Sequence, residues 1–236
     1  MTNKDDIEKS DWIGIVKTLE DVSDYYDRMN NLSTFFQAEK WRIAAATYSD
    51  ETVDVLEIGC GPGSFASHLK GKKILCLDPS ERLLKIAENR LGDKVVFSIG
   101  EAESLPADSN SFDRVFCSFS FRDFRNKRKS IDEMFRVLRN GGKAVILDIT
   151  KYDRGIKSIL MKSHLKHLVP LIATIVVPRN ERMRWGRNPY RDLWKTYESF
   201  GTPDRFASMM REIGFLDVRI ELLSLGGAFL LIGSKP

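Results

Sequence analysis

From residue 53 onward, short runs rich in β-branched residues alternate with amphipathic helical stretches, which restricts the chain to βαβ crossovers and a largely parallel sheet. Residues 53–58 (VDVLEI) read as the first strand, 59–63 as a turn and 64–69 as a helix. A second strand is predicted over 73–77, ending at Asp78, and Pro79-Ser80 opens a helix whose Leu83, Leu84, Ile86, Ala87 and Leu91 form one apolar stripe. Third, fourth and fifth strands follow at 95–99, 112–118 and 143–149, with a helix around 130–138 ahead of Gly141-Gly142. Five such units predict a doubly wound α/β sheet.

After Thr150 the alternation gives way to about fifty basic and apolar residues of helical pattern, an insertion, before another surface helix at 203–214. Two β runs, 215–223 and 228–233, flank Ser224-Leu225-Gly226-Gly227 and read as a hairpin, bringing the sheet to seven strands. Upstream, residues 19–46 carry apolar and aromatic residues suited to helices packed over the strands' C-terminal edge. The 236 residues, 42% of them hydrophobic, suit one domain with an N-terminal cover (1–50), a βαβ core (51–150), the insertion (151–202) and a C-terminal helix and hairpin (203–236). Extensive disorder is excluded. The longest uncharged apolar run, 168–178, is shorter than the roughly 20 residues a bilayer span needs. Residues 1–10 carry Asp5, Asp6 and Glu8 with no apolar stretch, unlike a secretory leader, so a cytoplasmic location is expected. Cys60, Cys76 and Cys117 are widely spaced, with no paired spacing or clustered His, and are expected to be reduced structural thiols with no metal site.

In open α/β sheets, ligands sit beyond the carboxyl ends of the strands, where strand order reverses. Gly59-Cys60-Gly61-Pro62-Gly63 is at that place, and glycines there let backbone approach a ligand without intervening Cβ atoms. Taken alone, such a turn is equally well structural. Asp78, at the end of the second strand, adds a carboxylate able to accept both hydroxyls of a ribose, so a nucleoside-containing cofactor is expected. The dinucleotide fingerprint G-x-G-x-x-G matches poorly, because Ser64 stands where its last glycine belongs.

Leu56-Glu57-Ile58-Gly59-Cys60-Gly61-Pro62-Gly63 resembles the first motif of class I S-adenosylmethionine-dependent methyltransferases, and 100–106 (GEAESLP), 111–113 (SFD) and 136–142 (RVLRNGG) resemble later landmarks of that Rossmann-like fold. The resemblance implies that S-adenosylmethionine lies against Glu57, Gly59, Gly61, Gly63, Asp78 and Pro79. It also implies that Glu101 bonds the adenine amino group, with Ala102 at the ring and Ser118 beside the methionyl part. Three further stretches are similar to the ubiquinone and menaquinone biosynthesis C-methyltransferases. They are Tyr26-Asp27-Arg28-Met29-Asn30 with Trp41 downstream, 119–124 (FSFRDF) and 136–150. The chain departs from that family's pattern at Thr34, Ala38, Asp123, Asn140, Asp148 and Thr150.

By that resemblance the acceptor is a prenylated quinol ring and Arg122 lies at the substrate. A permanently charged guanidinium can stabilise a phenolate and so raise the nucleophilicity of the ring carbon, although for a lone Arg an ion pair with Asp123 or Glu133 is the plainer expectation. Tyr26 is expected to close over the methionyl end, and His164 and His167, three apart, could share a helical face and accept the ring proton.

Residues 151–195 carry 11 Lys and Arg against three Asp and Glu. Within 156–194 these cations edge a greasy run, as in a lid facing an isoprenoid tail, a peripheral membrane contact or a homodimer surface. The same cations, with Trp185, Tyr190 and Trp194, could instead contact RNA, which would make the chain a base methyltransferase. Asn188-Pro189-Tyr190 is only faintly similar to the motif of amino-methylating enzymes. A third alternative is a non-catalytic S-adenosylmethionine binder.

Overall fold

Residues 6–184, 190 and 193–236 are described by a computed structural model, and the expected strands all form. They are β1 (Asp54–Ile58), β2 (Lys73–Asp78), β3 (Val96–Ile99), β4 (Phe112–Ser118), β5 (Leu138–Ile149), β6 (Leu216–Leu223) and β7 (Ala228–Ser234). Their order is β3-β2-β1-β4-β5-β7-β6. The first five pair in parallel, and β7 inserts antiparallel between β5 and β6. Strand order reverses between β1 and β4, which puts the ligand crevice above the Gly59 turn.

Alternation along the central strands loads both faces. Val55, Cys76, Phe116, Val145 and Leu230 are buried on one face with Trp41, Phe65 and Leu84; Leu56, Leu77, Val115, Ile146 and Leu231 are buried on the other with Ile131, Met134, Phe206 and Met210. The first group packs under α3 (Ala38–Ala46) and α4 (Glu81–Leu91), the second under α5 (Lys127–Val137) and α10 (Pro203–Ile213). Local signals set these helices: Ser80 Oγ caps α4 by accepting from Leu83 N–H, Asn126 caps α5 from Lys129 N–H, and α10 runs from Pro203 to a left-handed Gly214.

Two expectations need correction. The helix predicted over 64–69 is a single 3₁₀ turn, Ala66–His68, because few residues separate Gly63 from β2 and Ser67 Oγ donates to the Ser64 carbonyl instead of leaving the backbone to propagate. The fifth strand starts at Leu138, not 143, because a register shift lets 139–142 bulge while Gly141 and Gly142 bond Lys235 across the sheet.

Two N-terminal helices, α1 (Lys9–Asp21) and α2 (Tyr26–Ser33), cross the C-terminal edge of the sheet together with α3. The insertion contributes α6 (Gly155–Ser163), a π turn (His164–Leu168), α7 (Val169–Val176), α8 (Arg179–Arg184) and α9 (Leu193–Ser199). Leu165, Val169, Ala173 and Val176 form a satellite core with Met29 of α2 and Tyr197 of α9, tied to the sheet through Ile149. Gly155–Val176 is one continuous helix, apolar and long enough at 22 residues to match a bilayer by length and composition, which counting only the uncharged run had missed. In this fold its inner face covers a cavity.

Candidate active site

The Gly59 turn is built by backbone geometry. Gly59 and Cys60 donate to the Leu77 carbonyl, and Gly61 N–H donates to Asp78 Oδ2 at 2.8 Å. Gly59 has φ 70°, and a Cβ there would lie 2.5 Å from Ser120 Oγ, so both conformation and space require glycine. Gly61 has φ 53° and opens onto free space.

Above this turn lies a narrow cavity lined by Gly59, Gly61, Asp78, Pro79, Glu101 and Ala102, with Tyr26, Phe119, Ser120 and Asp123 closing it from the β4 side. The structure thus brings six of the nine expected cofactor residues to one wall. Glu57, Gly63 and Ser118 stand behind that lining. Glu57 points into the sheet's lower face, where Cys76 Sγ donates to it at 3.6 Å, and burial pushes its carboxyl up to about 8. Ser118 Oγ is buried with no hydrogen-bond partner. Asp78 is held by two N–H groups, from Gly61 and Ser80, yet burial outweighs them and raises its carboxyl to about 6. One N–H per oxygen leaves it lone pairs for a diol, so the donor and acceptor set fits a nucleoside. Glu101 is paired with Arg125, whose guanidinium stacks over Trp12, so its carboxylate already carries a cationic partner. Trp12, Ile15, Val16 and Leu19 of α1 cover this cavity. They lie within the cover expected over 1–50, and their i, i+3, i+4, i+7 spacing was readable, although the apolar helical stretch was read only from Leu19.

A second cavity, of about 360 Å³, adjoins the first through Phe119, which lines both and is held at φ 56°. A non-glycine residue in that region costs about 1–3 kcal/mol, so the surrounding packing must enforce it. Trp41 stands 6.2 Å from the Phe119 ring and donates Nε1–H to Ser224 Oγ at 2.8 Å. The remaining wall comes from Asn30, Phe35, Ile149, Tyr152, the inner face of α6 and the hairpin turn 224–227. That turn, distant in sequence, carried no site signal.

Arg122 lies on the wall of this second cavity. Its Nη1 donates to Asp148 Oδ1 at 2.9 Å, its backbone N–H donates to Asp148 Oδ2, and its Nε lies 3.7 Å from Asp123 and makes no hydrogen bond. Burial alone would lower this guanidinium, but Asp123, Asp148 and Tyr26 more than offset it, so it stays charged. The expected alternative partner Glu133 instead binds Arg136, while Asp148, fully buried, is the partner the sequence did not disclose. Tyr26, whose hydroxyl burial pushes up, sits within electrostatic range of Arg122 at the boundary with the cofactor cavity. His164 and His167 part company. His164 lines the second cavity, kept neutral by burial, whereas His167 is exposed, because in a π turn a spacing of three does not share one face. Trp185 and Asn188-Pro189 fall outside the described residues, as does the Trp194 side chain. Among the described residues no group of three or more His, Cys, Asp or Glu could hold a metal ion.

The family model of the ubiE/COQ5 methyltransferases matches residues 5–235. A demethylmenaquinone methyltransferase of Thermotoga maritima is 31% identical over 92% of this chain and 94% of its own length, and that of Thermus thermophilus is 28% identical over 92% and 99%. Among solved structures, a SAM-dependent methyltransferase from Thermotoga maritima superposes with a TM-score of 0.65 at 20% identity, over 93% of this chain and 99% of that one, a likeness of fold.

Proposed function

The chain belongs to the ubiE/COQ5 methyltransferase family and is an S-adenosylmethionine-dependent methyltransferase; from that premise we propose that it methylates a ring carbon of a prenylated quinol of the demethylmenaquinone class. The observation that carries this reading is the junction of the two cavities at Phe119, with Arg122 on the acceptor side. When bound, S-adenosylmethionine supplies a methyl group on a sulfonium, an electrophile that needs a carbon nucleophile facing it in line. Gly59, Gly61, Asp78, Pro79, Glu101 and Ala102 hold the nucleoside, and Tyr26 closes the methionyl end. Arg122, already oriented by Asp148, brings a permanent positive charge to the acceptor cavity and stabilises the oxyanion of a ring hydroxyl that makes the ring carbon nucleophilic. Trp41 and Phe119 flank the ring. His164, neutral at pH 7, is positioned to take the ring proton.

The acceptor cavity opens where the chain displays apolar side chains to solvent. Phe35 and Phe36 (φ 53° and 61°) face one side, Leu225 (φ 58°, 96% exposed) another, and Ile156, Ile159 and Leu160 of α6 a third. Such a rim suits peripheral contact with a membrane, from which a prenyl tail need not be withdrawn. An RNA substrate is disfavoured because Lys151, Lys157 and Lys162 are engaged within the fold, with the Tyr197 and Glu198 carbonyls, the Leu225 carbonyl and the Glu198 carboxylate respectively.

The reading is tested by incubating the chain with methyl-labelled S-adenosylmethionine and, separately, a demethylated prenyl quinol and total RNA. Label on a ring carbon of the quinol is the expected result; label on RNA alone would refute the acceptor assignment.

A further inference from the structure

Helix α1 stands between two cavities of unequal size. On one side it covers the cofactor cavity, whose free volume is about 70 Å³. On the other, Asp11, Gly14 and Thr18 line a space of about 630 Å³, bounded opposite by Asp123 and Ser199. Ile15 and Leu19 touch both. Pockets that enclose a ligand of the size of S-adenosylmethionine run to about 300–1,000 Å³, so the cofactor cavity is too small as α1 stands. The volume that the cofactor needs lies across the helix.

The packing of α1 lets it give way. None of its 13 residues is buried, whereas α4, α5 and α10 each bury three or more. Gly14, near its centre, weakens the helix relative to alanine, yet nothing steric requires it. Its φ is not positive, and a Cβ there would meet no atom within 4 Å. It lies on the side of the larger cavity.

Instead of a buried face, α1 has fastenings at its two ends. At the start, the Arg125 guanidinium lies 5.2 Å over the Trp12 ring. Near the end, Glu20 Oε1 accepts from Ser80 Oγ at 2.5 Å. Ser80 is 2% exposed and stands at a junction, because its N–H donates to Asp78 Oδ1 while its Oγ accepts the Leu83 N–H that opens α4. One serine therefore ties the cover to the carboxylate assigned above to the nucleoside.

We propose that α1 is the gate through which S-adenosylmethionine enters and leaves, that Glu20 is the positioning residue that latches it on Ser80, and that the cavity beside Gly14 is the space into which it moves. The proposal rests on the cofactor cavity described above and not on the identity of the methyl acceptor.

The test is the pair of binding rates for S-adenosylmethionine on the full chain. Stopped-flow tryptophan fluorescence, with Trp12 lining the cavity, gives association; a chase with excess S-adenosylhomocysteine gives dissociation; calorimetry checks that binding occurs. A latch that holds the gate in both the empty and the loaded protein slows both steps. Glu20→Ala should therefore raise both rates about 3- to 10-fold, the net worth of one hydrogen bond, with Kd changing less than either rate. Glu20→Gln keeps an acceptor oxygen for Ser80 and should fall between Glu20→Ala and the wild type. Gly14→Leu fills the space that α1 moves into and should lower both rates by a similar factor. It should melt no lower than the wild type, because leucine favours a helix more than glycine does. A static wall behaves differently, since losing a contact speeds dissociation alone. Faster dissociation with unchanged association in Glu20→Ala, or unchanged rates in Gly14→Leu, overturns the proposal. A wild type that binds no S-adenosylmethionine overturns the cofactor assignment itself, a result distinct from binding at unaltered rates.

Discussion

Replacing Arg122 by Met should separate its structural from its chemical role, because its partner Asp148 is fully buried and accepts from Arg122 Nη1, from the Arg122 backbone N–H and from the Ile149 N–H. The substitution removes the guanidinium bonded to this carboxylate and leaves the two backbone donors at residues 122 and 149. Breaking a buried pair from one side costs about 3–5 kcal/mol, since the remaining charge keeps its desolvation penalty without its counter-ion. Asp148→Asn should cost a similar amount by stranding the guanidinium, relieved in part by Asp123 at 3.7 Å. The double variant Arg122→Met/Asp148→Asn carries neither charge; its amide oxygen accepts one of the two backbone N–H groups, which reach different oxygens of Asp148, while its NH2 faces the other and leaves it without an acceptor. It should be more stable than either single variant but stay about 1–3 kcal/mol below the wild type. Urea unfolding of the four proteins reads these values directly. Turnover should behave differently. With no cation at the acceptor oxygen, both Arg122→Met and the double variant should lose about 10²- to 10³-fold in kcat, the usual cost of one oxyanion donor. Affinity for S-adenosylmethionine should change little. If the double variant recovers turnover along with stability, Arg122 acts only as a structural partner of Asp148 and the catalytic assignment is wrong.

Asp78 should impose opposite pH dependences on stability and on cofactor binding. Burial raises its folded carboxyl to about 6, above its ordinary 3.8, so its contribution to stability is full below about pH 4 and is lost as pH rises through about 6. Cofactor affinity should weaken as pH falls below about 6, because the ionised carboxylate is the better acceptor for a diol. Asp78→Asn should flatten both profiles, and a persistent inflection near 6 in that variant would assign it elsewhere. Gly61→Ala should cost about 1–2 kcal/mol through its positive φ alone. Gly59→Ala should cost more in the same urea assay, because the new Cβ also meets Ser120 Oγ, which donates to the Ile58 carbonyl. Leu225→Asp combined with Phe35→Ser should lower sedimentation with anionic phospholipid vesicles at least about tenfold. Unchanged sedimentation would remove the rim from the membrane contact.

The legible part of the site is its cofactor wall. Glycines spaced along one turn and an acid at the end of the next strand are local features, and their positions follow from where strands end. Arg122 was legible as a position after β4 but not as a pair, because Asp148 lies on the neighbouring strand and only parallel pairing of β4 with β5 brings them together. The expectation for His164 and His167 failed for a local reason: residues 164–168 form a π turn, whose wider pitch the spacing of an ordinary helix does not anticipate.

Period and punctuation in the chain therefore determined the strand order class, the cofactor turn, the insertion and the closing hairpin, since each depends on residues within a few turns of one another. The tertiary structure decided the second cavity, whose walls come from α2, α3, α6 and a hairpin turn nearly two hundred residues away. It also decided which charges are satisfied. Asp148 answers Arg122 and Arg125 answers Glu101, because desolvation and pairing depend on what the whole fold packs around a side chain.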